Sequence, residues 1–219
     1  MSLWVVRHAQ PLIAPGICYG ALDVPADPAA TQSAAQALAQ VLPHGAVLLT
    51  SVLQRCELLA QAICGLRPDL VHKPEPRLVE MNFGVYEGVP WADISKDALD
   101  AWTADFANHR FGGKESVAEF MARVTAVWEE CLAQVEQQAT RGDKAPERSA
   151  PCPPPALRAP PLPAQNALAP CLLGDQVWIS HAGVARAAIL LEQGIRIPQS
   201  AAQWPAQAPG FGGWTRLGA

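Results

Sequence analysis

The chain of 219 residues contains no Cys-x-x-Cys pair, no zinc-type spacing of His and Cys, no excess of basic residues and no apolar run near the length of a membrane span. Its six cysteines (18, 56, 64, 131, 152 and 171) are scattered through a chain long enough to build a core without cross-links, which predicts reduced thiols and a cytoplasmic setting. Lys and Arg number 16 against 20 Asp and Glu, for a net charge of −4, which speaks against a general nucleic-acid binder. The short apolar run at the start meets Arg7 and His8 before it reaches the length of a leader's hydrophobic segment, so neither secretion nor a membrane anchor is expected. Half of the residues are hydrophobic and 16% are charged, which excludes a disordered chain.

Proline is abundant, and it is concentrated. Between Pro146 and Pro170, nine of 25 residues are proline, too dense a loss of amide donors for helix or strand. The segment at about 143–172 therefore reads as a proline-rich insertion with polyproline II character in a single domain spanning 1–219. On either side, short apolar runs alternate with helical patterns: Leu3 to Val6, Ala29 to Leu42, Ala46 to Leu49, Leu53 to Cys64, and Gln176 to Ser180 followed by Ala182 to Gln193. This alternation predicts an α/β fold with a mostly parallel sheet. Asp27 and Pro28 supply an N-cap and an N1 proline, while Gly65 and Gly194 are placed to end helices. The longest helix is expected from about Glu115 to Ala139, because Val117, Phe120, Met121, Val124, Val127, Trp128, Cys131, Leu132 and Val135 form one apolar stripe.

Two strands end alike. Val5-Val6-Arg7-His8 and Trp178-Ile179-Ser180-His181 each deliver a histidine at the carboxyl end, where ligands of open α/β sheets bind. A third strand, Ala46 to Ser51, leads into a helix that carries Arg55 in its first turn. His8, His181, Arg7 and Arg55 thus converge on one sheet edge, and forked cationic donors beside free helix amides suit a phosphate dianion. His44, His72 and His109 lie in polar or proline-flanked turns and read as surface residues.

Four segments in order carry a family resemblance: VVRHAQ, TSVLQRC, EMNFGVYEG and ISHAGVAR. Over residues 3 to 191 the chain resembles the histidine phosphatase superfamily, the phosphoglycerate mutase-like proteins, which implies a three-layer α/β/α sandwich with a mixed sheet. Within it, the Cys-Tyr-Gly-x-x-Asp-Val-Pro run at 18 to 25 and the closing Phe-Gly-Gly-Trp-Thr-Arg-Leu look most like α-ribazole phosphatases, which act late in cobalamin assembly. The resemblance implies His8 as the nucleophile that becomes phosphohistidine, with Arg7, Arg55 and His181 as phosphate ligands and Glu80 as proton donor. It implies no metal and no cofactor. Glu75 and Glu87 are rivals for the acid; Glu80 is chosen because Met81, Phe83 and Gly84 fix its register, and Glu87-Gly88 reads as a structural turn. Tyr19, Glu115 and Ser116 are implied on the substrate side.

The sequence departs from the family pattern in several places. Ala9 replaces a glycine, Gln10 replaces an acid, Pro11 to Pro15 occupy the span of a phosphate-contacting asparagine, and Lys114 interrupts Gly-Gly-Glu-Ser. Prolines 205 and 209 after Ile197 suggest a missing or irregular edge strand. The implied partner is a small phosphorylated metabolite, α-ribazole 5′-phosphate first, with a broad-specificity sugar or nucleotide phosphatase or a mutase as alternatives. A non-catalytic binding module on the same fold is a further alternative, against which stands the presence of both histidines, both arginines and the acid. Loop-closure entropy grows by only about 0.6 kcal/mol per doubling of length. Replacing most of Pro146 to Pro170 by a short flexible linker is therefore expected to leave turnover and thermal midpoint nearly unchanged; insoluble protein would show instead that the segment packs on the core.

Overall fold

Alternating side chains along the strands sort the apolar residues onto two faces of one sheet. In β1 (Ser2–Arg7), Leu3 and Val5 join one core while Trp4 and Val6 join another. The sheet continues through β2 (Val47–Thr50), β3 (Val71–Pro74), β4 (Gln176–Ser180) and β5 (Trp214–Gly218) in the order β3-β2-β4-β1-β5. All neighbours are parallel except β5, which runs antiparallel to β1. This is a computed structural model, and it describes residues 2–142 and 175–218; the proline-rich segment expected at about 143–172 lies outside the described residues.

Helices cover both faces. On one, α1 (Pro28–Val41) and α2 (Gln54–Leu66) set Leu38, Leu59 and Ile63 against Val6, Leu48, Val177 and Ile179. On the other, α4 (Val117–Gly142) and α5 (Ala182–Glu192) pack Phe120, Val124, Val184 and Ala188 against Leu3, Val5 and Trp178. A short α3 (Lys96–Ala104) lies in the segment between β3 and α4. The result is the expected three-layer α/β/α sandwich on a mixed, mostly parallel sheet. Among the described residues, no helix is long and apolar enough to cross a membrane.

Local chemistry sets the helix ends. Asp27 caps α1 by accepting from the Ala30 amide at 2.7 Å, with Pro28 first in the helix. Helix α4 starts at Val117 rather than Glu115 because Ser116 and Glu119 form a capping box: each side chain accepts from the other's backbone amide. From Val117 to Cys131 the expected stripe is buried, with Leu132 partly so, while the Val135 side chain lies outside the described ones. Gly194, at φ +78°, ends α5 as expected. Gly65 does not end α2. That helix runs on to Leu66, and the turn after it is held by Arg67, which donates to the carbonyls of Ala39 and Leu42 and pairs with Asp69.

Two strands differ from expectation. Strand β3 has no apolar alternation, since its Val-His-Lys-Pro forms an exposed edge that the ladder with β2 specifies instead. The edge after Ile197 is neither missing nor irregular: Pro205 and Pro209 fall in the loop before β5, leaving its amides free to pair with β1.

Between β3 and α4 the chain crosses itself where Gly84 (φ +55°) meets Gly112 (φ +74°), and a Cβ on Gly112 would lie 1.8 Å from the Phe83 carbonyl oxygen. Gly16 has a similar φ of +82° with open space around it. Both Gly16→Ala and Gly112→Ala carry the left-handed penalty of roughly 1–2 kcal/mol. Gly112→Ala adds a backbone collision, so its urea midpoint should fall well below that of Gly16→Ala.

Candidate active site

The parallel ladder extends one residue past the strand ends and gathers the site there. The His8 amide donates to Ser180 O and the Ser51 amide to Ile179 O, both at 3.0 Å, so residues following β1, β2 and β4 meet at one edge. His8 is 2% exposed, and its ring centre lies 5.2 Å from that of His181. Its Nδ1 is 2.7 Å from the Ala9 carbonyl oxygen, which can only accept, so Nδ1 carries the proton and Nε2 the lone pair. Burial, and after it the Arg55 charge, pushes the His8 imidazole down to about 3; Arg7 adds to the shift and the Ala9 carbonyl opposes it. Burial above all, then Arg55 and His8, holds His181 well below the usual histidine range. The His181 Nε2 is 2.8 Å from Ser51 Oγ.

Two arginines face this pair. Arg55 has no exposed surface, donates to the carbonyls of Leu22 (2.7 Å) and Gly20 (2.6 Å), and has no acceptor for Nε among the described residues. Arg7 lies 3.8 Å from the centre of the Phe211 ring, donates to Pro209 O at 3.2 Å, and likewise leaves its buried Nε without an acceptor. Forked cationic donors with unspent N–H groups around a neutral imidazole make a site for a dianion of phosphate geometry.

Glu80 is fixed from three sides. One carboxylate oxygen accepts from the Gly183 amide at 2.8 Å, in the first turn of α5, and the other from the Met81 amide at 3.0 Å. The segment leading to it is held by Ser180 Oγ on Leu78 O and by Arg123, which donates to the carbonyls of Arg77, Val79 and Glu80. A Cβ on Gly183 would sit 2.1 Å from a Glu80 carboxylate oxygen, so a side chain there would displace the carboxylate from its rest on α5.

The rivals have other work. Glu75 pairs with Arg77 and caps the turn at Pro76–Leu78. Glu87 accepts from the amides of Gly20, Ala21, Leu22 and Phe83 and so holds the 18–23 loop, the structural part expected of it. Tyr19 lies in this loop, its ring centre 5.4 Å from the Arg55 guanidinium, within reach of the phosphate site. Glu115 lines a polar cleft of about 540 Å³ with Glu80, Asn82, Lys114 and Arg123, but its carboxylate is engaged by Arg123 and by the Asn82 amide. Ser116 is buried in the α4 cap, so its side chain is spent on the helix rather than on a substrate. Arg123 and Phe211 are additions to the residues expected from sequence. Arg123 lies in α4 eight residues after Glu115, outside the helical pair spacings of three and four, and gave no signal in the sequence. Phe211, with its ring centre 5.6 Å from that of His8, gave no signal beyond its place in the closing motif. His44 is exposed and His72 and His109 are half-buried.

The His8 shift ties stability to pH. The imidazole titrates at about 6.5 when unfolded and about 3 when folded, so between these values the unfolded state binds more protons. The contribution is complete above pH 6.5 and is lost as pH falls through this window, by at most ~1.4 kcal/mol per pH unit. Between pH 7.5 and pH 5, His8→Asn should therefore lose less stability than the wild type in urea titrations. Parallel losses would show that His8 is not held neutral by its surroundings.

The sequence profile described as Histidine phosphatase superfamily (branch 1) matches residues 3–140. No curated protein matches in sequence. Among solved structures, the mycobacterial glucosyl-3-phosphoglycerate phosphatase in complex with inorganic phosphate is 24% identical with a TM-score of 0.67, covering 99% of this chain and 89% of its own. The α-ribazole phosphatase from Shigella flexneri is 22% identical with a TM-score of 0.67 over 99% and 89% of the two chains. A protein from Thermus thermophilus is 22% identical with a TM-score of 0.60, covering 99% and 92%. With the profile spanning more than half of its length, the chain belongs to the histidine phosphatase superfamily, and the solved structures share its fold.

Proposed function

We propose that this phosphatase hydrolyses a small phosphomonoester in two steps through a phosphohistidine at His8. In the first, His8 Nε2 attacks phosphorus, the bond to the ester oxygen breaks, and Glu80 gives its proton to the departing alkoxide. In the second, Glu80 takes a proton from water, the new P–O bond forms as the P–N bond breaks, and inorganic phosphate leaves with His8 neutral again. Arg7 and Arg55 neutralise the phosphoryl oxygens as charge spreads over them, and His181 donates a further hydrogen bond. The single observation that carries this reading is the His8 tautomer, with Nδ1 on the Ala9 carbonyl and the Nε2 lone pair left for phosphorus, while the Arg55 and Arg7 charges act on the same imidazole. A relative of the same fold, solved with inorganic phosphate, adds support.

The substrate we favour is α-ribazole 5′-phosphate, in cytoplasmic cobalamin assembly. Its support is the 18–25 and 211–217 motifs and the Shigella flexneri phosphatase of the same fold. A sugar phosphate is the second reading, favoured by the polar cleft of about 540 Å³ beside Glu80.

Quenching under conditions that preserve acid-labile phosphate should place the phosphoryl group on His8 by mass spectrometry, and labelling of His181 instead would overturn the assignment. Glu80→Gln should lower kcat/KM for an alkyl phosphate by ~10²–10⁴-fold but far less for a nitrophenyl phosphate, whose phenolate needs little proton help. Equal losses on both substrates would remove Glu80 from the acid role.

A further inference from the structure

A second cavity opens on the other side of Glu80. It measures about 120 Å³ and is walled by Phe83, Trp102, Phe106, Phe120 and Trp204, with Glu80, Gly183 and Arg186 also on its lining. Phe106 and Phe120 are buried, whereas Phe83, Trp102 and Trp204 are only partly covered by the main core. The walls interlock: Trp102 stacks on Phe106 at 5.7 Å, and Trp204 meets Phe106 and Phe120 edge-on at 6.0 and 6.3 Å. Arg186 fixes the Trp204 wall by donating to the neighbouring Pro205 carbonyl at 2.8 Å.

We propose that this cavity is the leaving-group subsite and takes one apolar aromatic ring carried by the alcohol of the phosphomonoester. The inference rests on the phosphatase reading of His8 and Glu80 above. Three observations support it. The size is that of a single ring, since apolar cavities of about 150 Å³ stay dry and bind benzene, while whole ligands fill about 300 Å³ or more. The position is right, because Glu80, the residue that must reach the departing oxygen, lines this cavity and so borders whatever enters it. The chemistry is selective: aromatic faces and edges complement a planar ring, whereas Asn82, Lys114 and the Arg123–Glu115 pair of the opposite cleft complement a polyol or a charged group.

The test compares 2-phenylethyl phosphate with ethyl phosphate, whose alcohols are similarly basic, so that the difference reports the ring and not the need for a proton. Wild-type kcat/KM should favour the phenylethyl ester by at least about tenfold. In Trp204→Ala and Phe106→Leu this ratio should fall towards one, while in Lys114→Ala it should persist. A wild-type ratio near one, with both esters hydrolysed and His8 phosphorylated, would overturn the subsite and leave the phosphatase reading intact. A ratio that falls in Lys114→Ala but holds in Trp204→Ala would place the ring in the polar cleft and equally overturn it. Release of phosphate from neither ester, with no phosphohistidine, would remove the catalytic reading and the subsite with it. Should the variants fail to fold, the wild type still decides: the Trp102 indole N–H resonance should shift with 2-phenylethylphosphonate and stay still with ethylphosphonate, and no difference between the two would overturn the proposal.

Discussion

A guanidinium with no exposed surface governs the arrangement of this protein's site. Burying the charge of Arg55 costs several kcal/mol of hydration, and the fold offsets part of this with the carbonyls of Gly20 and Leu22. The loop that supplies those carbonyls turns its amides the other way, onto Glu87. One strip of backbone is thus held between a buried cation and a carboxylate, its donors spent on one and its acceptors on the other. Burial first, and then the same cation, keeps His8 and His181 neutral, so the loop geometry and the state of both imidazoles are linked through Arg55. Its Nε finds no acceptor among the described residues, so part of the cost of burying this charge is left uncompensated.

The aromatic side of the site shows a division of labour that follows from where Glu80 stands. Its backbone belongs to a segment clamped by Arg123, and its carboxylate rests on the first turn of α5. Two cavities of different lining therefore share Glu80, one open and edged by charged side chains, the other small and walled by aromatic rings.

Much of this was legible in the sequence because it rests on local rules. Leu3 to Val6 and Gln176 to Ser180 read as buried strands, and each hands a histidine to the same edge; Asp27 and Pro28 announce a helix start; the α4 stripe has helical spacing. The parts that were not legible depend on contacts distant in sequence. Val71–Pro74 is a strand only because β2 offers it a ladder, and Trp214–Gly218 only because β1 does. Ser116 matched a substrate-side motif but is spent on capping, a choice decided by Glu119 three residues later. Arg123 is a positioning residue through carbonyls some 43 to 46 residues away, which no spacing rule reaches.

Strand β1, which leads into His8, has a particular place in time. β1 lies between β4 and β5, so Leu3 pairs with Gln176 on one side and Leu217 on the other. During synthesis the first strand made is among the last to acquire neighbours, and His8 emerges long before the carbonyl of Ser180 and the backbone of Gly212 that flank it. Helices α1 and α2 pack on each other early, but the sheet centre forms only through pairings nearly as long as the chain, the kind of contact that slows folding. The surroundings of His8 are thereby completed only once β4 and β5 have joined the sheet.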